Sequence, residues 1–125
     1  MLMVRNLPIR VNTLRVFEHL DALGFAGKYD SAFFPVDQRT GKHLGYGFLN
    51  MIDSESARQM QVTVSGTQLK GTASKKVIEV CAAVRQGVVP SLKTWQRSAQ
   101  HARALGRHPP VRFWVRQEGQ MTAEW

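Results

Sequence analysis

The spacing of apolar positions changes several times along the chain, and each change marks an element. Residues 2 to 7, "LMVRNL", form a short apolar run ended by Pro8, which predicts a first strand. It begins at the first residues, so the chain is read as a fragment or the tail of a longer protein. In "NTLRVFEHLDALGF", Val16, Phe17, Leu20 and Leu23 recur at helical spacing, with Asn12 or Thr13 as N-cap and Gly24 where a helix-ending glycine is expected. "KYDSAFFPVD" predicts a second strand that Pro35 stops, and the polar loop "DQRTGKHLG" leads to a third over residues 45 to 52. "DSESARQMQV" predicts a second helix capped by Asp53 or Ser54, with Ala57, Met60 and Val64 inward. After "SGTQLKGTAS", "KKVIEVCAA" supplies a fourth strand.

The order β-α-β-β-α-β is that of a split βαβ, ferredoxin-like α+β sandwich: four antiparallel strands with two helices on one face, the other face open. This unit is assigned to residues 1–87, and residues 88–125 to a C-terminal extension. In the extension, Leu92, Trp95, Ala99 and Ala102 form one stripe, predicting a helix over about 90–106 ended by Gly106. The "HPPVRFWVRQEGQMTAEW" that follows is expected to start extended, broken by proline, and to end frayed.

The third strand raises the chemical question. In "LGYGFLNM", residues 44 to 51, strand parity puts Leu44, Tyr46, Phe48 and Asn50 on one face and Leu49 and Met51 on the other, toward the helices. The glycines beside the rings add no bulk on the helix side. Aromatic rings on an open sheet can stack nucleobases. The plainer reading buries Tyr46 and Phe48 as core, but Leu49 and Met51 already supply an inward set.

Charge points the same way. Among 125 residues, Lys and Arg outnumber Asp and Glu by 17 to 9, a net charge of +8 that favours polyanionic partners, nucleic acid first. The one cysteine, Cys81, cannot form an internal disulfide, which fits a reducing, intracellular compartment, nuclear or cytoplasmic. No apolar stretch approaches the roughly 20 residues that cross a bilayer, so no membrane partner is expected. His19, His43, His101 and His108 are scattered without metal-ligand spacing, and no nucleophile has an evident base. No enzyme activity, cofactor or metal is expected.

"LGYGFLNM" resembles the octamer of an RNA recognition motif at Gly45, Tyr46, Gly47 and Phe48, with Leu49 standing for valine. Leu44 replaces the usual basic residue and Met51 the usual aromatic. "LMVRNL" is similar to the companion hexamer of the first strand, with Met3 in place of its aromatic. The resemblance covers residues 1 to about 83 and implies single-stranded RNA as the partner of the sheet face. Tyr46 and Phe48 would stack bases; Met3 offers no flat π surface, so one stacking position is lost. Arg5 shares the outward parity and can meet a phosphate or base edge. Asn50 lies on the same face, and Lys42 and His43 in the preceding loop can stand in for the missing basic residue. Lys75 and Lys76 at the start of the fourth strand and Arg85 just past its end are expected as further RNA contacts. Val77, Glu79 and Cys81 face outward if Ile78, Val80 and Ala82 face in; Glu79 then either pairs with Arg5 or accepts a hydrogen bond from a base.

Several longer stretches, "GFAGKYDSAFFPVD", "GYGFLN" and "SKKVIEVCAAVRQG", with "RNLP" and the methionine at position 3, resemble the C-terminal RNA recognition motif of the Mei-two-like proteins. The resemblance implies a module of RNA-binding regulators of meiosis and development, acting as a monomer on single-stranded RNA. Two readings of the extension stay open. Trp95, with Lys93 and Arg97, extends the RNA surface, or the third helix covers Tyr46 and Phe48 until RNA displaces it. Trp114, between Arg112 and Arg116, is either a further stacking contact or a packing anchor. The competing function is a protein-interaction module whose sheet the C-terminal helix occludes, with protein partners held through the extension.

Overall fold

A computed structural model of the chain describes residues 1–69, 72, 74–83, 100–108 and 111–124. Its elements follow the expected order: β1 (Leu2–Arg5), α1 (Thr13–Leu20), β2 (Tyr29–Pro35), β3 (Gly47–Met51), α2 (Ser54–Val64) and β4 (Glu79–Ala82). The caps are those the sequence offers. Asn12 accepts from the Arg15 amide at the start of α1, and Asp53 accepts from the Ser56 amide at the start of α2. Beyond Leu20, residues Asp21–Phe25 widen into a π-type turn that closes on Gly24 at φ 100°. Val16, Phe17 and Leu20 of α1 and Met60 and Val64 of α2 are buried with Val4, Phe34, Leu49 and Ile78 in one core on a single face of the sheet.

The sheet is larger than the expected four strands. Residues 111–124 form a hairpin, β5 (Val111–Gln117) and β6 (Gln120–Glu124), and the strand order is β4-β1-β3-β2-β5-β6, with every pairing antiparallel. The turn explains why this end is ordered rather than frayed. Glu118 and Gly119 both have positive φ, 50° and 80°, the conformation of a tight two-residue hairpin whose twist matches that of the strands. Its alternation sends Trp114 and Met121 into the helix-side core, where the indole meets Phe17 of α1 edge to face at 5.2 Å. Trp114 is therefore a packing anchor, 5% exposed, and not a surface stacking contact.

β4 is shorter than "KKVIEVCAA" suggests. Ile78 instead hydrogen-bonds with Gly66 and Thr67 of the loop after α2, and Ala82 is exposed rather than inward. Residues 100–104 are helical and end at Gly106, as expected. There the Gly106 and Arg107 amides donate back to Arg103 and Ala102, and Gly106 has φ 69°. The rest of the expected third helix, with Leu92, Lys93, Trp95, Arg97 and Ala99, lies outside the described residues, and so does Arg85.

Candidate nucleic-acid interface

Cross-strand register lines up one row of side chains over the face opposite the helices. Met3 stands opposite both Cys81 and Phe48, Phe48 opposite Phe33, and Phe33 opposite Phe113. The row crosses β4, β1, β3, β2 and β5. Its centre follows the parity expected of the third strand: Leu49 is fully buried and Met51 packs against the helix-side core, while Phe48 belongs to a separate cluster with Phe33 and Phe113.

Phe48 and Tyr46 are both partly exposed and meet edge to face, with ring centroids 6.1 Å apart. Phe33 and Phe113 meet edge to face at 4.4 Å and are each 7% exposed. They form the apolar floor beside the two accessible rings, with Met1, Val111 and Val115 around them. Neither phenylalanine was evident as a member of this face from sequence. "FF" puts one ring on each side, and a bulge between Tyr29 and Ser31 decides which. Phe113 is marked by the alternation of Val111, Phe113 and Val115 before "EG", a hairpin signal that glutamate, unusual at positive φ, obscures.

Gly47 explains how the rings are held. A Cβ there would come within 2.5 Å of the Phe34 ring, so only glycine lets that ring lie beneath the strand between Tyr46 and Phe48. At Gly45, φ is +94° and a Cβ would press on the Leu7 carbonyl at 3.2 Å. The glycines do clear the helix side, and a phenylalanine of β2 fills the space at Gly47. Tyr29, the other tyrosine, is fully buried; its phenol donates to Asp21, and burial followed by that hydrogen bond pushes its pKa well up.

The polar candidates divide. Arg5 and Glu79 face each other in register and form an ion pair at 2.6 Å, both about half exposed, so the cross-strand alternative is the one found. Asn50 is partly exposed and donates its amide to Asp30 at 2.9 Å. Lys42, Lys75 and Lys76 are exposed. His43 is not on the surface: it is 5% exposed, its Nε2 hydrogen-bonds the Val11 carbonyl, and its Nδ1 accepts from the Gly45 amide. That bonding braces the approach to Tyr46 and removes His43 from the RNA contacts expected of it.

Antiparallel order gathers the ends of β1 and β2 and the starts of β3, β4 and β5 at one end of the sheet. The loops there carry exposed Arg10, Arg39, Lys42, Lys75 and Lys76. Asp37 in the same region is turned inward to its own loop. The Arg39 and Thr40 amides donate to its carboxylate and hold its pKa below the usual range. The aromatic face thus borders a cationic end. Among the described residues, no group of three or more His, Cys, Asp or Glu side chains could hold a metal ion, and no helix is long and apolar enough to cross a membrane.

Comparison with known proteins agrees with this geometry. The family described as RNA recognition motif 2 matches residues 1–96. Protein MEI2-like 3 of Oryza sativa subsp. japonica is 28% identical over 98 residues, 78% of this chain and 10% of that protein. Protein MEI2-like 6 of the same organism is 29% identical over 105 residues, 70% of this chain and 32% of that protein. The chain thus spans a third or less of each of these relatives, and the resemblance to Mei-two-like proteins is borne out over that part. Among solved structures, RNA Binding Protein PG1 superposes with a TM-score of 0.53 at 26% identity, covering 72% of this chain and 96% of that one.

Proposed function

The chain belongs to the RNA recognition motif 2 family, and from that premise we propose that its helix-free sheet face binds single-stranded RNA. The observation that carries this reading is the Tyr46–Phe48 pair, two partly exposed rings at 6.1 Å on a face lined with apolar side chains and bordered by cations. Successive unpaired bases stack on Tyr46 and Phe48, and Met3 flanks the second base with its thioether. Arg5, with Glu79 as its ion-pair partner in the free protein, supplies a polar contact at the β1–β4 side, and the Asn50 amide does so at the far end of β3. Lys42, Lys75 and Lys76 meet phosphates, as does Arg85 outside the described residues. Duplexes bind poorly because their bases present no free face to the rings.

The likeness to MEI2-like proteins supports a role as one RNA-binding module of a larger regulator of RNA fate, acting inside the cell as a monomer. A fluorescence-anisotropy titration with a pool of short single-stranded RNAs, against duplex RNA and single-stranded DNA, tests the reading. Binding to the single-stranded pool should weaken with salt at a log–log slope of about −0.7 per phosphate neutralised. Equal affinity for duplex, or no salt dependence as expected for an apolar peptide site, contradicts it.

A further inference from the structure

A cleft of about 250 Å³ lies on the helix side of the sheet, away from the stacking face. The first turn of α1, the loop before it, the β2–β3 loop and β5 all line it. Its lining brings together Arg10, Lys42 and Arg112 and, among the described residues, includes no carboxylate. Thr13 and Leu14 open α1 there, with amides at the positive end of the helix and no acidic residue in the first turn to offset them.

A second observation points to a ligand. Trp114 also lines this cleft; the residue is 5% exposed, and its buried indole Nε1–H has no hydrogen-bond partner among the described residues. A buried donor left without an acceptor is rare and costly. Arg112, from the same strand, places its guanidinium 6.0 Å from the indole centroid, which puts a cation beside that N–H.

We propose that this cleft takes a phosphate oxyanion, and that its source is a backbone phosphate of the strand bound on the sheet, an assignment that rests on the RNA-binding reading above. The route is continuous. A neighbouring hollow shares Ile9, Arg10, Lys42 and His43 with the cleft and reaches Leu44, half exposed and two residues before Tyr46. A strand leaving Tyr46 thus passes Leu44 and Lys42 before reaching Arg10 and the start of α1. Inorganic phosphate shares the same chemistry, so the test separates the two sources.

The Trp114 indole N–H resonance of the ¹⁵N-labelled chain is followed during three titrations. These are inorganic phosphate at fixed ionic strength, a pool of RNA oligomers of about three residues, which is what such a sheet stacks, and a pool several residues longer. The longer pool and phosphate should each move the resonance, and the short pool should not. Arg10→Gln, at an exposed position, should weaken the longer pool several-fold, reduce its salt slope by about 0.7 and spare the short pool. If neither phosphate nor the longer pool moves the resonance, and Arg10→Gln acts equally on both pools, the site is overturned. Movement with phosphate alone keeps the oxyanion site and overturns its RNA source. A Tyr46→Ala variant that binds the short pool undiminished sinks the sheet reading instead, whatever the cleft does.

Discussion

The Phe34 ring occupies the space that a side chain on Gly47 would need, with ring carbons 2.5 Å from where its Cβ would stand. This contact fixes the orientation of the third strand: Gly47 faces the packed interior, so Tyr46 and Phe48 on either side of it face away. Gly47→Ala should therefore destabilise the fold by about 1–3 kcal/mol, the usual cost of overpacking a filled interior. Urea denaturation measures it. A loss under about 0.5 kcal/mol, typical of a surface substitution, would mean that the strand is turned the other way.

Trp114 ties the C-terminal hairpin to α1 through Phe17. Trp114→Ala should cost about 3–5 kcal/mol, as for other large buried aromatic truncations. Chemical unfolding of the whole chain reads this directly, and β5 should unfold together with β2 in one transition. A variant as stable as the parent would place the indole outside the core.

Most of the six-element unit was legible because each segment carries its own period, cap and breaker. Asn12 and Asp53 cap where short polar residues precede apolar helical spacing, and Pro8 and Pro35 end their strands' apolar runs. The hairpin was not legible as part of the sheet. Its pairing with β2 is a long-range contact that no local period reveals, and Glu118 hides a turn that Asn or Asp would have announced. At the site, parity placed Tyr46 and Phe48 correctly, whereas His43 looked like a loop residue free to touch a ligand. It is in fact held by the Val11 carbonyl, far from it in sequence, and lies edge to face with the Phe34 ring of β2. Phe33 and Phe113 joined the face only once the β2 bulge and the β2–β5 register were known.

The Arg5–Glu79 pair is half exposed on both sides, so it contributes little to stability. Glu79→Gln should change unfolding free energy by less than about 1 kcal/mol. It should raise RNA affinity, because it removes a negative charge from the face and releases the Arg5 guanidinium. Anisotropy titration of the variant checks the sign, and weaker binding would assign Glu79 to base recognition instead.

The carboxylate of Asp53 caps α2, and hydrogen bonds from Ser56, its backbone amide first, hold its pKa below the usual value. A depressed folded-state pKa contributes stability above the unfolded value, near pH 4, and that contribution is lost as pH falls through the folded value. Asp53→Asn keeps an acceptor at the cap but cannot titrate. Its stability should fall less steeply than the parent's below about pH 4, as thermal melts at stepped pH would show. Parallel curves would mean that the cap does not sense its protonation.

The most direct test of the account removes the two accessible rings together. Tyr46→Ala with Phe48→Ala should weaken single-stranded RNA binding by about 1–3 kcal/mol per ring, measured by anisotropy beside a circular-dichroism melt that shows the fold retained. Undiminished RNA affinity in a folded double variant, or loss of folding along with binding, contradicts the claim that these rings form a stacking surface.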